Sequence, residues 1–233
     1  MVKMTLIQGD CLKALSTIPD NLVLITDPPY GINNNLEWLS QIHLRDGKMP
    51  NKSDDKIVGD DKQFDISPFL IFKRRLIFGF PYIYDKEATG WIVWDKQPKI
   101  AERTIISPVE VASTTLRTGW DIFRCMWGGF MRDLDIVEKR YEHPTQKPLK
   151  LMFRLIEKFT KPTDIIFDPF LGSGTTMLAS LKNGRSCIGI EIEPKYIDIC
   201  KKRLNWGSSL SDKIEWEFKD MSQNNQTVGS EEK

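Results

Sequence analysis

Short apolar runs that end beside an acidic residue recur along this chain of 233 residues. The clearest is Leu22–Thr26, which stops at Asp27, and a second, Asp164–Phe167, stops at Asp168. Such runs are typical of parallel strands buried on both faces of a sheet. Seven strands are predicted, at residues 5–7, 22–26, 75–80, 91–96, 110–114, 164–167 and 186–190. Residues 214–218 are a candidate edge strand in addition.

Apolar residues spaced three and four apart predict helices between these strands. The spacing is clearest in residues 149–159, which follow Pro148, and in the segment that begins at Pro194. Proline is favoured at the first turn of a helix. Shorter helices are predicted at residues 11–15, 66–72 and 177–182. Strands that alternate with helices predict an α/β domain with a mostly parallel sheet.

An acid, two prolines and a tyrosine follow the strand at 22–26: Asp27, Pro28, Pro29 and Tyr30. Two prolines cannot continue a strand ladder, so the turn lies at the carboxyl end of the strand, where parallel sheets bind ligands. The carboxylate can accept a hydrogen bond from an exocyclic amine, the rigid prolines present a backbone carbonyl, and the ring can stack on a flat base. An ordinary Asp-Pro turn is the alternative.

A glycine-rich turn, Asp168–Thr176, connects a strand to a helix, and Glu191 ends the next strand. Gly172 and Gly174 let a ligand approach the backbone, and Glu191 follows Gly172 by 19 residues, near the roughly 20 expected for a carboxylate that binds ribose. Met177 replaces the third glycine of a dinucleotide motif, and the lysine of a P-loop is absent. The pattern favours an adenosine ligand without a pyrophosphate.

S-adenosylmethionine fits this description. Its amino group can meet Asp168 or nearby carbonyls, its ribose Glu191 and its adenine Asp10, which is also a candidate helix N-cap. Its carboxylate needs a cation or a hydroxyl, which Thr145 or Lys147 can supply.

Composition adds constraints. A formal net charge of +1 neither requires nor excludes a polyanionic partner. The four cysteines are scattered without metal-ligand spacing, so we expect reduced thiols in a cytoplasmic protein and no zinc. The first residues lack a signal peptide, and no apolar run approaches the ~18 residues of a membrane span.

Two polar segments interrupt the pattern. Residues 31–63 predict a long surface loop with one helical turn near 37–39, which is either a lid or substrate contact or an unstructured insertion. Residues 120–141 mix aromatic and basic residues, which suits base stacking and phosphate contact or simply a core with solvated charges. The predicted single domain covers residues 1–218, and the polar tail 219–233 is predicted to be disordered.

Four motifs together resemble the DNA methyltransferases that methylate amino groups, in the order that places the DPPY motif before the cofactor motif. They are Gly9–Leu12, Asp27–Gly31, His143–Pro148 and Asp168–Thr175 with Glu191. The resemblance implies a Rossmann-like methyltransferase fold: a seven-stranded, mostly parallel sheet, helices on both faces, an antiparallel edge hairpin and a circularly permuted motif order. It implies S-adenosylmethionine as the cofactor.

The resemblance also implies the residues of the site. Asp27, Pro28, Pro29 and Tyr30 would hold the target base and perform the catalysis, with no metal. The cofactor would be surrounded by Asp10, Cys11, Asp27, Thr145, Lys147, Asp168, Pro169, Phe170, Gly172, Ser173, Gly174, Thr175, Glu191 and Ile192.

The implied activity is transfer of a methyl group to a base that is flipped out of double-stranded DNA. Asp27, where some members have serine, favours the N6 amine of adenine. Methylation of cytosine N4, a non-catalytic DNA-binding subunit, and methylation of RNA or protein are the alternatives. The segments available for target recognition, 31–63 and 97–141, are short, which suggests a short recognition sequence or a helping partner. A homodimer and a restriction partner are expected by analogy alone.

Overall fold

Eleven strands and four α-helices are present in the residues that the computed structural model describes, which are 1–31, 58–96, 107–128, 131–132, 138–139, 141, 143–207 and 213–222. The strands are β1 (Val2–Gln8), β2 (Val23–Thr26), β3 (Arg74–Phe80), β4 (Gly90–Asp95), β5 (Val109–Thr114), β6 (Gly119–Arg124), β7 (Trp127–Gly128), β8 (Met131–Arg132), β9 (Ile165–Asp168), β10 (Ser186–Glu191) and β11 (Ile214–Asp220). The helices are α1 (Cys11–Ala14), α2 (Leu149–Phe159), α3 (Thr175–Lys182) and α4 (Pro194–Leu204).

Nine strands form one sheet in the order β11-β1-β10-β9-β2-β3-β5-β4-β6, and β7 pairs separately with β8. All neighbours in the sheet are parallel except β5, which is antiparallel to both β3 and β4. Every predicted strand is present. Within the chain, β2 precedes β9, so the permuted order implied by the resemblance is found.

Two details of the predicted sheet are wrong. The main sheet of the described residues has nine strands rather than seven, because both edges implied by the resemblance pair with a further strand. β11 pairs with β1 at one edge, and β6 pairs with β4 at the other. The antiparallel pair β4–β5 therefore lies one strand inside the edge. β11 also continues to Asp220, two residues beyond the predicted end of the domain at residue 218; residues 223–233 lie outside the described part.

Helices cover both faces of the sheet, because successive residues of each strand point to opposite sides. Val23 and Ile25 of β2 belong to the cluster that packs under α2, α3 and α4, whereas Leu24 belongs to the cluster under α1. Both clusters consist of buried side chains, with partly buried apolar side chains packed against them. The described helices have at most 11 residues, and none of them is long and apolar enough to cross a membrane.

The helix predicted at 66–72 is reduced to a 3-10 turn, Ser67–Phe69. Its backbone bonds join residues three apart, from the Leu70 N–H to the Ser67 carbonyl and from the Phe72 N–H to the Phe69 carbonyl, as in a 3-10 turn. Phe69 and Phe72 nevertheless point into the core, as a helical stripe would have placed them. The predicted helical turn near 37–39 lies outside the described residues.

Arg75 is a charged residue inside the core, at the start of β3, with no exposed side-chain surface. Its Nε and Nη2 donate to the two carboxylate oxygens of Asp85 at 2.7 and 2.8 Å, and Nη1 donates to the Phe72 carbonyl at 3.0 Å. Glu87 also accepts from Nη2, at 2.9 Å, but is half-exposed. A buried guanidinium is tolerated here because its donors are paired.

We expect Asp85→Ala to lower the free energy of unfolding by about 3–5 kcal/mol, because it leaves the Arg75 charge buried without its main partner. Urea unfolding followed by circular dichroism measures the change. Glu87→Ala is the matched control, since it removes an exposed partner of the same arginine and should cost about 1 kcal/mol or less. Equal losses in the two variants would contradict the burial argument.

Candidate active site

Four acidic residues meet at the carboxyl edge of the sheet. Asp10 follows β1, Asp27 follows β2, Asp168 ends β9 and Glu191 ends β10. These four strands are neighbours and parallel, so their ends lie at one edge. The acids line a single cavity of about 1130 Å³.

Nearly all of the predicted site residues line this cavity, although they come from five separate stretches of the chain. The lining includes Asp10, Cys11, Asp27, Pro28, Pro29, Tyr30, Thr145, Lys147, Asp168, Pro169, Phe170, Gly172, Ser173, Thr175, Glu191 and Ile192.

Gly174 is the exception, since it does not line the cavity. It precedes α3 with a φ of +82°, and a Cβ atom there would lie 2.8 Å from Cys200 Sγ. A side chain is therefore excluded by the packing of α4 against the turn. The prediction that Gly174 gives a ligand access to the backbone is wrong.

Asp168 is buried and connects the two halves of the site. Its Oδ1 accepts a hydrogen bond from Thr26 Oγ1 at 2.7 Å and one from the Phe170 backbone N–H at 3.1 Å. Burial raises the pKa of Asp168 to about 6, although hydrogen bonds from Thr176, Thr26 and Phe170 oppose the shift.

Glu191 and Asp10 each hold a piece of backbone beside the cavity. The two Glu191 oxygens accept from the Gly172 N–H at 2.7 Å and the Glu193 N–H at 2.8 Å, so this carboxylate fixes both the glycine turn and the start of α4. Burial raises its pKa even though those backbone bonds oppose the change. Asp10 accepts from the Leu12 N–H at 2.9 Å, which confirms it as the N-cap of α1.

Arg203 of α4 braces the glycine turn and was not predicted. Its Nη1 donates to the Ser173 carbonyl at 2.7 Å and to the Ser173 and Thr175 hydroxyls at 2.9 and 3.0 Å. The predicted ligand hydroxyls of Ser173 and Thr175 are thus bonded within the protein. The ring of His143 lies close above Gly172, where a Cβ would be 2.6 Å from His143 Nε2.

The turn after β2 is held by Asp60, another residue that sequence reasoning missed. Its Oδ1 accepts from the backbone N–H groups of Tyr30 at 3.0 Å and Gly31 at 2.9 Å. Asp60 is buried although it lies in the segment predicted to be a surface loop. An acid 30 residues away leaves no local pattern that could reveal this contact.

The Tyr30 side chain is placed by two further contacts. Its hydroxyl donates to Asp27 Oδ1 at 2.5 Å, and its ring stacks beside Tyr82 with centroids 6.0 Å apart. Gly79 of β3 makes room for the ring, since a Cβ there would lie 2.8 Å from Tyr30. Burial and the charge of Asp27 raise the pKa of Tyr30 well above its usual value, so the hydroxyl remains a donor.

Lys147 lies in the cavity and is paired with two acidic residues. Its ammonium group pairs with Asp27 Oδ2 and, at 3.0 Å, with Glu110 Oε2. Burial raises the pKa of Asp27, and the Lys147 charge only partly offsets it. The assignment of Lys147 to the cofactor carboxylate is therefore not supported by its contacts, and Thr145 is the predicted residue that still lines the cavity without such a pairing.

Acids from four parallel strand ends around a glycine turn, in permuted order, define a nucleoside-binding methyltransferase of Rossmann-like fold. Residues 81–202 match a family model for N6/N4 methyltransferases, described as DNA methylase. This match covers more than half of the chain, which therefore belongs to the N6/N4 DNA methylase family. The family uses S-adenosylmethionine as its cofactor, and its members are DNA methyltransferases.

Individual relatives agree with this assignment. The type II methyltransferase M.HinfI of Haemophilus influenzae is 27% identical over 86% of this chain and 68% of its own length. The crystal structure of the M1.HpyAVI–SAM complex is 26% identical, with a TM-score of 0.54 over 86% of this chain and 100% of that chain. The cytosine-N4-specific PvuII DNA methyltransferase shares the fold, at 16% identity and a TM-score of 0.51 over 91% and 90% of the two chains.

The burial of Asp168 predicts a pH effect on stability. The folded protein retains its proton up to a pKa of about 6, whereas the unfolded chain releases it near 3.8, so Asp168 favours folding below pH ~4 and that contribution is lost as the pH rises to ~6. Asparagine does not titrate, so the difference in the free energy of unfolding between Asp168→Asn and the wild type should change with pH. We expect it to shift in favour of the variant by about 2–3 kcal/mol between pH ~4 and pH ~6.

Urea unfolding of both proteins at several pH values from 4 to 7 measures this difference. Asp20→Asn, at an exposed turn position, is the control and should give a curve parallel to that of the wild type. A constant difference between Asp168→Asn and the wild type would show that Asp168 does not titrate in this range.

Proposed function

We propose that the single catalytic domain of this chain transfers a methyl group from S-adenosylmethionine to the N6 amine of adenine in double-stranded DNA. One observation carries the proposal. The Asp27 carboxylate and the Gly172 turn, 145 positions apart in sequence, line the same cavity at adjacent strand ends. A base-binding motif and a nucleoside-binding turn are both needed for transfer between two bound nucleosides.

The donors and acceptors of the cavity fit the cofactor. S-adenosylmethionine carries an ammonium group, ribose hydroxyls and an exocyclic amine, all of which donate to carboxylates. Asp168, Glu191 and Asp10 offer such oxygens from three strand ends, and each retains acceptor capacity beyond its bonds within the protein. Thr145 is the candidate partner of the cofactor carboxylate. When bound, the cofactor supplies an electrophilic methyl group on a sulfonium ion.

The residues of the turn after β2 would hold the base. The Asp27 carboxylate and the Pro28 carbonyl accept the two hydrogens of the amine, and Tyr30 stacks on the ring. Two acceptors on one amine direct the nitrogen lone pair out of the base plane, toward the methyl carbon. Positioning of this kind supplies much of the rate enhancement. Transfer is direct, with no covalent enzyme intermediate, and no cysteine is needed as a nucleophile.

Cytosine N4 is the second candidate, because its amine offers the same two hydrogens next to a ring nitrogen. Because the cytosine-N4-specific PvuII enzyme has the same fold, cytosine N4 stays a candidate target. Asp27 at the first position of the motif favours adenine. Recognition of the DNA sequence is predicted for segments 31–63 and 97–141, of which residues 32–57 and 97–106 lie outside the described part of the chain. A homodimer and a restriction partner likewise stay predictions.

We expect N6-methyladenine as the only methylated nucleoside in DNA from cells that express this chain. Digestion of that DNA to nucleosides and mass spectrometry measure the product, and single-molecule sequencing reports its sequence context. DNA from cells that express the Asp27→Ala variant is the negative control. N4-methylcytosine as the sole product would replace the first candidate by the second.

We expect Asp27→Ala to lower kcat for methyl transfer by at least about 100-fold, because the amine loses an acceptor that acts on the reacting nitrogen. Calorimetry should find binding of S-adenosylmethionine retained, since other acids hold the cofactor. Asp20→Ala is the control and should match the wild type. Full activity of Asp27→Ala would remove this residue from the mechanism and would favour neither candidate base.

A further inference from the structure

A chain of alternating charges begins at Asp27 and runs along the wall of the cavity. The Lys147 ammonium pairs with Asp27 on one side and with Glu110 Oε2 on the other, at 3.0 Å. Lys96 continues the chain, with its Nζ 3.0 Å from Glu110 Oε1. The four residues come from the turn after β2, the loop before α2, β5 and β4, so only the folded chain brings them together.

The walls around this charge chain are aromatic. Lys147 Nζ lies 5.1 Å from the centroid of the Phe78 ring and 6.0 Å from that of Trp94. Lys147 itself is only 8% exposed. Charges act strongly on one another where water is excluded, so each member of the chain depends on its neighbours.

Lys147 and Glu110 act on Asp27 in opposite directions. Burial raises the pKa of Asp27, the Lys147 charge lowers it, and the Glu110 charge raises it. Burial also acts to lower the pKa of Lys147, but Asp27 and Glu110 outweigh it and the lysine stays charged. An ionised Asp27 is the stronger acceptor for an amine N–H.

We propose that Lys147 is a positioning residue that keeps the Asp27 carboxylate oriented and charged for the target amine, and that Glu110 tunes this effect by sharing the lysine. The inference rests on the proposed function, because it assumes that Asp27 receives the amine. In this proposal Lys147 and Glu110 act through Asp27 and contact neither the base nor the cofactor.

The competing role for Lys147 is to bind the carboxylate of the cofactor. Its ammonium group already lies within ion-pair distance of both Asp27 and Glu110. Moving Lys147 to the cofactor would leave two partly buried carboxylates with one fewer cation between them, which is costly. The two roles predict different effects on cofactor affinity.

Several charged or titratable groups face Asp27 from the elements packed around it. They are Tyr30 from its own turn, Lys147 from the loop before α2, Glu110 from β5, Lys96 from β4, Asp168 from β9, and Asp60 through the backbone of the turn.

The test measures the titration of Asp27 in the cofactor-free full chain, from the ¹³C resonance of its carboxyl group, assigned by its loss in Asp27→Asn. Lys147→Met should move the midpoint to higher pH by about one unit or more, as expected on loss of a contacting opposite charge. Glu110→Gln, which keeps the shape of the side chain, should move it to lower pH. Lys158→Met, which removes an exposed lysine paired with Asp121, should leave it unchanged.

The opposite directions distinguish tuning from simple damage, because burial raises the pKa of Asp27 and a disrupted site would lower the midpoint in both variants. An unmoved midpoint in Lys147→Met, or an upward shift in Glu110→Gln, would overturn the proposal. If Lys147→Met fails to fold, Glu110→Gln still decides: a downward shift with urea unfolding like that of the wild type supports the proposal, and an unmoved or raised midpoint overturns it. Calorimetry should find the affinity for S-adenosylmethionine unchanged in Lys147→Met. A large loss of affinity with an unmoved midpoint would assign Lys147 to the cofactor instead.

The kinetic profile provides the link to function. The acid limb of kcat/KM against pH should move upward in Lys147→Met and downward in Glu110→Gln, in parallel with the resonance. Absence of DNA methylation by the wild-type protein would contradict the proposed function. The midpoints of the Asp27 resonance would still test the effects of Lys147 and Glu110 on Asp27.

Discussion

The site depends on the parallel pairing of β2 with β9, which places Val23 beside Ile166 and Leu24 beside Phe167. The hydrogen bond from Thr26 Oγ1 to Asp168 Oδ1 extends this contact beyond the last paired residues, across 142 positions of sequence. Asp27 follows immediately on one strand and the glycine turn on the other. A slip of one residue in this register would turn Thr26 and the side chains of β2 to the opposite face, and the two motifs would no longer share a cavity.

The acids at this edge stabilise the backbone of the protein itself, in addition to lining the cavity. Glu191 fixes the Gly172 turn, Asp60 fixes the turn after Asp27, and Asp10 begins α1. Carboxylates that accept backbone N–H groups are held in one orientation without a ligand. The cavity is therefore organised in advance, and binding does not have to supply the free energy for ordering these side chains. The same arrangement carries a cost, since each buried carboxylate must be compensated locally.

The sequence allowed the strands, the two motifs and the edge where they meet to be predicted, because these features follow from short-range patterns. A buried strand must be apolar, and prolines must end it. Asp60, Glu110 and Arg203 could not be predicted, because each acts on a site residue at least 28 positions away through a side-chain contact that has no local signature. Lys147 lies in the cavity as predicted, but its ion pairs with Asp27 and Glu110 were not predicted, since spacing locates a residue and does not orient its ammonium group.

The resting state of Asp27 limits how a target amine can bind. One oxygen already accepts from the Tyr30 hydroxyl and the other from Lys147. A carboxylate offers about four acceptor positions, so an amine can add a bond without displacing either donor. The Asp27 carboxylate is therefore held between two protein donors and does not have to rotate when the amine binds. The protein donors then keep the buried charge compensated both before the base arrives and after it leaves.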